Sequence, residues 1–137
     1  VQSLLDYSTS RSAARGCSAQ IQVSGIRFDM NCRTGVAENI RFHCTDNPDT
    51  GEEEGCDYLE RDRFYELATN NYMAWGGSGF EMLKINTTKE DTGISLRDAV
   101  VSYLQNQHPQ IPCRPDQEES PCVPGVAVED GRINPTY

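Results

Sequence analysis

Six cysteines, Cys17, Cys32, Cys44, Cys56, Cys113 and Cys122, constrain this 137-residue chain more than any other feature. An even number at wide, loop-like spacings reads as three disulfides closed in an oxidising compartment, and so as a secreted chain. Six cysteines allow fifteen connectivities. Pairing of neighbours is the expectation (Cys17–Cys32, Cys44–Cys56 and Cys113–Cys122), because each pair flanks a candidate hairpin or loop. Zinc is the competing reading, but it asks for close pairs such as C-x2-C, or for Cys mixed with His at short spacing. The spacings here are wide and only His43 and His108 are present, so no metal ligand is assigned. His43 reads as part of a strand and His108 as the residue following a helix, both structural or exposed.

The charge balance narrows the range of partners. A net charge of −9 argues against nucleic acid and against an anionic membrane face. The acidic runs Glu52–Glu54 and Asp116–Glu119 lie among Gly and Pro and read as solvated loops. The chain has the length of one domain, 1–137, and contains no apolar run long enough to span a membrane. Asn86-Thr87-Thr88 is an N-glycosylation acceptor, whereas Pro135 disqualifies Asn134-Pro135-Thr136. No signal peptide precedes Val1, and processing upstream is the expectation.

Hydrophobic periodicity predicts the elements. Residues 1–9 read as the end of a helix, with Val1, Leu4, Leu5 and Ser8 on one side, and 8–16 as a Ser/Arg/Gly loop. Residues 19–29 alternate about Ser24-Gly25, 31–35 is a turn, and 38–44 alternates again with Ile40 and Phe42 on one face. Residues 46–55 read as an acidic loop and Phe64 to Thr69 as a short buried strand. The strongest helix runs from Ser95, a natural N-cap, to Gln105. Its apolar stripe is Leu96, Ala99, Val100, Tyr103 and Leu104. Residues 110–130 read as irregular. This order predicts a mixed α/β (α+β) domain with a mixed sheet and flanking helices. It does not favour a Rossmann fold, since no G-x-G-x-x-G follows a strand.

The segment with most chemistry is Tyr65 to Phe80, which runs into Gly76, Gly77 and Gly79. Glycines permit positive φ and let a ligand approach the backbone. Tyr72 and Trp75 stand just before them, so an aromatic shelf for a flat ligand is one reading and a pair of core aromatics is the other. Here the chain resembles the C-terminal domain of the 5'-nucleotidase family. The family's pattern, Asn-aromatic-x-x-x-Gly-Gly-Asp-Gly-aromatic, is similar to Asn71-Tyr72-Met73-Ala74-Trp75-Gly76-Gly77-Ser78-Gly79-Phe80. Gln22-Val23-Ser24-Gly25-Ile26 resembles a family strand, and Gly131-Arg132-Ile133 resembles the family's ending. Extra residues fall at 45–56 and 110–127.

The resemblance implies that Tyr72 takes the place of the aromatic that stacks on a nucleoside base. It implies that Ser78 takes the place of the carboxylate that grips the ribose hydroxyls, a departure that removes a charge-assisted acceptor. It also implies that Cys44–Cys56 corresponds to a short family disulfide with an enlarged loop. The family's catalytic domain uses two divalent metals held by Asp, His and Asn, and nothing in this chain corresponds to that cluster. The first half of the family's C-terminal domain, with a second stacking aromatic and substrate-holding Arg residues, falls upstream of Val1. The resemblance thus implies a partial domain, incomplete at its N-terminal side, whose first helix and strand near Ile21 to Phe28 lie against a second polypeptide.

The expected function is a non-catalytic ligand-binding module without a cofactor of its own. Its site is Tyr72, Trp75, Gly76, Gly77, Ser78 and Phe80. Its ligand is a nucleoside or a conjugated apolar molecule such as a pigment. One rival is the processed C-terminal chain of an active secreted nucleotide hydrolase, with the two divalent metals on an upstream chain. The other is a structural or interaction protein without a ligand.

Overall fold

The computed structural model describes residues 1–18, 21–106 and 133–136. Cys113, Cys122, His108, the acidic run Asp116–Glu119 and the 110–127 insertion lie outside the described residues. The chain forms two compact units, Val1–Asn86 with Asp130–Tyr137, and Thr87–Glu129.

The first unit is built on a mixed sheet. Strand β1 (Ile26–Asn31) pairs antiparallel with β2 (Val36–Phe42), β2 pairs antiparallel with β5 (Asp57–Tyr58), and β6 (Ile133–Thr136) runs parallel to β1. The β1–β2 turn closes because Asn31 Oδ1 accepts from the N–H groups of Arg33 and Thr34, both at 3.1 Å, and Gly35 adopts φ +71°. The register slips between Arg27 and Asp29, where β2 carries an extra residue near Asn39 at φ +49°. A bulge changes which side chains share a face. Ala37 and Ile40, three positions apart, therefore both reach the core.

Helix α1 (Gln2–Ala13) covers this sheet. It extends past the expected end, and the loop predicted over 8–16 is helical as far as Ala13. The reason is tertiary: Ser8, Thr9 and Ser12 are small enough to lie buried at the helix–sheet contact. Ser12 Oγ satisfies itself by donating to the Ser8 carbonyl at 2.9 Å. Leu4, Leu5, Phe28, Met30, Ala37, Ile40 and Phe80 form the core. Complete burial of a side chain such as Phe28 stabilises the fold by about 1.5–3 kcal/mol. The helix face and strand expected to need a second chain are thus packed against each other within this one.

Three further expectations are corrected. Of the strand pair expected over 19–29 about Ser24-Gly25, the second half is a strand, β1 from Ile26, and residues 21–25 are not. Phe64 to Thr69 is irregular rather than a buried strand, with Phe64 100% exposed and Leu67 56%. Only Tyr65 is captured there, stacking on Phe42 at 4.8 Å and accepting from the Glu60 N–H at 2.9 Å. The acidic loop 46–55 contains a short ladder, β3 (Thr45–Asp46) with β4 (Glu53–Glu54). That ladder delivers Glu53 to Arg41 and Arg27 instead of leaving it in solvent.

The disulfides Cys17–Cys32 and Cys44–Cys56 are present, closing 15- and 12-residue separations. His43 follows β2 at φ +56°, exposed, with Nδ1 3.0 Å from Asp57 Oδ2. In the second unit, helix α4 (Leu96–Asn106) starts where Ser95 Oγ accepts from the Asp98 N–H at 3.0 Å. Its Leu96, Val100 and Tyr103 side chains are exposed. No helix among the described residues is long and apolar enough to cross a membrane.

Candidate functional site

The glycine segment folds as two single helical turns around a left-handed bend. Asn70 caps the first, α2 (Asn71–Ala74), its Oδ1 accepting from the Met73 N–H at 2.9 Å. Gly76 then reverses the chain at φ +87°, and a 3-10 turn, Gly77–Gly79, leads into α3 (Glu81–Lys84). A Cβ at Gly77 would stand 2.6 Å from two ring atoms of Tyr72, so only glycine admits the ring there.

Tyr72 and Trp75 end up 64% and 68% exposed, beside this turn. Phe80 does not share their position. It is 6% exposed, part of the core, and meets Tyr7 edge to face at 5.0 Å. Phe80 therefore anchors the segment, whereas Tyr72 and Trp75 offer ring surface to solvent. Gly76 is buried and Gly77 half-buried.

Ser78 is the hub of the segment. It holds a left-handed conformation, φ +55°, uncommon for a residue with a side chain. Its N–H donates to the Tyr72 hydroxyl at 3.2 Å. Its carbonyl accepts from the Tyr7 hydroxyl at 2.8 Å and from Arg11 Nη1 at 2.6 Å. Hydrogen bonding from the Ser78 side chain, then from its backbone, holds the Tyr72 phenol below its ordinary pKa. The Arg11 guanidinium also lies over the Tyr7 ring, 5.7 Å from its centre. Sequence reasoning missed Tyr7 and Arg11. Their four-residue spacing puts them on one helix face, but Arg11 falls in the stretch read as a loop, which hid the pairing.

A second charged cluster sits under β3 and β4. Arg27 holds Asp46 with two bonds of 2.6 and 2.9 Å and reaches Glu53 at 3.0 Å. Arg41, nearly buried, holds Glu53 at Nη2 and Nε and reaches Asp29 at 3.6 Å. The Arg41 bonds, followed by those from Arg27, draw the Glu53 carboxyl below its ordinary range, and burial only partly opposes them. Cys44, Glu53 and Cys56 also approach one another here. With both sulfurs joined in a disulfide, the trio lacks the thiolates a metal would require.

Comparison with known proteins places this geometry. The family described as 5'-nucleotidase, C-terminal domain, matches residues 2–85, which takes in α1, the β1–β2 hairpin and the whole glycine segment. The chain belongs to the 5'-nucleotidase C-terminal domain family. A 5'-nucleotidase of Diplobatis ommata is 42% identical over 43 residues, covering 31% of this chain and 8% of that protein. The chain thus spans a small part of the length of that relative. No solved structure matches it.

Proposed function

We propose that this chain is a secreted, non-catalytic ligand-binding module of the 5'-nucleotidase C-terminal type, and that it binds a flat aromatic or conjugated small molecule on Tyr72 and Trp75. The observation that carries this reading is the exposure of both rings beside a glycine turn whose backbone is held by three hydrogen bonds at Ser78. Ring stacking and removal of apolar area from water favour any planar ligand there. A neutral Ser78 weakens the hold on a sugar diol without affecting stacking, so the ligand class extends from nucleosides to conjugated apolar molecules such as pigments. Disulfides and the Asn86 acceptor site agree with secretion.

A second polypeptide forms part of this reading. Phe64 and Leu67 are apolar side chains left in solvent, and a partner that covers them would remove that cost. Native followed by denaturing mass spectrometry of the protein from its source reads partner, glycan and small molecule together. A bound planar molecule and an associated chain are the expected result, and a bare monomer from fresh source material contradicts the reading.

The similarity to a protein named 5'-nucleotidase favours one alternative: a C-terminal chain whose metal-bearing catalytic domain is carried by another polypeptide. A phosphate-release assay separates the two. The purified chain with AMP and added zinc or magnesium is expected to release none, whereas the complete assembly would do so only under the alternative.

A further inference from the structure

We propose that Tyr7 and Arg11 are positioning residues for the Tyr72 ring, acting through the Ser78 carbonyl without touching the ligand. The inference rests on the binding reading above and adds to it the device that sets ring orientation.

Ser78 sits in a backbone region that disfavours side chains, between Gly76 and Gly79, which are both left-handed. Such a conformation persists only where its surroundings impose it. Two donors from one helix face, Tyr7 and Arg11, converge on the single Ser78 carbonyl. On the other side of the same residue, the Ser78 N–H holds the Tyr72 hydroxyl. One residue, through the two peptide units that flank its Cα, thus links the helix α1 donors to the Tyr72 ring. Gly79 leaves the space for this, because a Cβ there would stand 2.8 Å from Tyr7 Cζ and nearer still to its hydroxyl. The clamp is itself anchored, since Tyr7 packs on the buried Phe80 and Arg11 lies over Tyr7.

The chemistry of recognition follows. The Tyr72 hydroxyl oxygen accepts from the Ser78 N–H, which fixes the ring whose exposed face is the surface for stacking. Affinity should then depend on how firmly the turn is held, and a residue beyond reach of the ligand should change it.

The test is amide hydrogen exchange by NMR on the full chain, together with emission of Trp75, its single tryptophan. Tyr7→Phe removes one donor and keeps the packing on Phe80; Arg11→Met removes the other; Arg11→Lys restores a donor. Exchange at the Ser78 amide should rise about tenfold in the Tyr7→Phe/Arg11→Met pair and fall back in Arg11→Lys, while amides of β1 and β2 keep their wild-type rates. Adenosine titrations should weaken in parallel. Unchanged exchange at Ser78 in the double variant overturns the proposal. A simultaneous rise across β1 and β2 also overturns it, because it would mark a general stabilising role. If exchange responds as expected but adenosine leaves Trp75 emission unaltered in the wild type, the clamp stands and the binding reading fails.

Discussion

The guanidinium of Arg41 holds the carboxylate of Glu53, a residue that lies across the Cys44–Cys56 disulfide from the strand carrying Arg41. This contact makes an acidic loop part of the fold. The Glu53 carboxyl is drawn below its ordinary pKa chiefly by Arg41. Its contribution to stability is complete above the unfolded value of about 4.3 and is lost as the pH falls through the lower folded value. Glu53→Gln should therefore destabilise the protein by about 1–3 kcal/mol at neutral pH. The difference from wild type should shrink as the pH drops below about 4. Urea unfolding at a series of pH values checks both.

Removing the Cys44–Cys56 bridge as a double alanine variant should cost about 3 kcal/mol in the chain-entropy account. The loss should not add to that of Glu53→Gln, because the bridge and the ion pair hold the same hairpin. A double-mutant cycle in urea measures the coupling, and strict additivity would show that the bridge does not position Glu53.

Two glycines with similar backbones should respond differently to alanine. Gly51 and Gly79 have φ of +71° and +86°. A Cβ at Gly51 meets nothing within 4 Å, so Gly51→Ala should cost about 1 kcal/mol from the backbone alone. At Gly79 the new methyl collides with Tyr7, and the cost should reach about 2–4 kcal/mol. Thermal melts of the two variants decide the comparison.

Much of the architecture was legible because it is local. Alternation around Asn31–Gly35 marks the β1–β2 hairpin, Ser95 marks the start of α4, and the run of glycines marks the bend at Gly76. What escaped depends on distant partners. Ser8, Thr9 and Ser12 look like loop residues until the sheet beneath them is present. The Phe64 to Thr69 run has the composition of a buried strand but no ladder among the described residues. Glu53 looks solvated until the hairpin folds back on Arg41. In the glycine segment, the motif singled out Tyr72 and Trp75, whose rings are exposed, whereas Phe80 is an anchor in the core. The clamp from Tyr7 and Arg11 was not legible, since 71 and 67 residues separate them from Ser78.

The Asn86 acceptor site is exposed where α3 ends, within reach of a glycosyltransferase. Protein from a secreting host should lose mass on enzymatic deglycosylation, and Thr88→Ala should abolish that loss.

If Tyr72 is the stacking surface of a planar-ligand site, as proposed, its ring must contribute to affinity. Titration of the full chain with adenosine, followed by Trp75 emission in wild type and Tyr72→Ala, tests it most directly. The expected result is a saturable change in wild type, an affinity about tenfold weaker in Tyr72→Ala, and tighter binding when Ser78→Asp introduces a carboxylate. Equal affinities for wild type and Tyr72→Ala, or no saturable change in wild type, would contradict it.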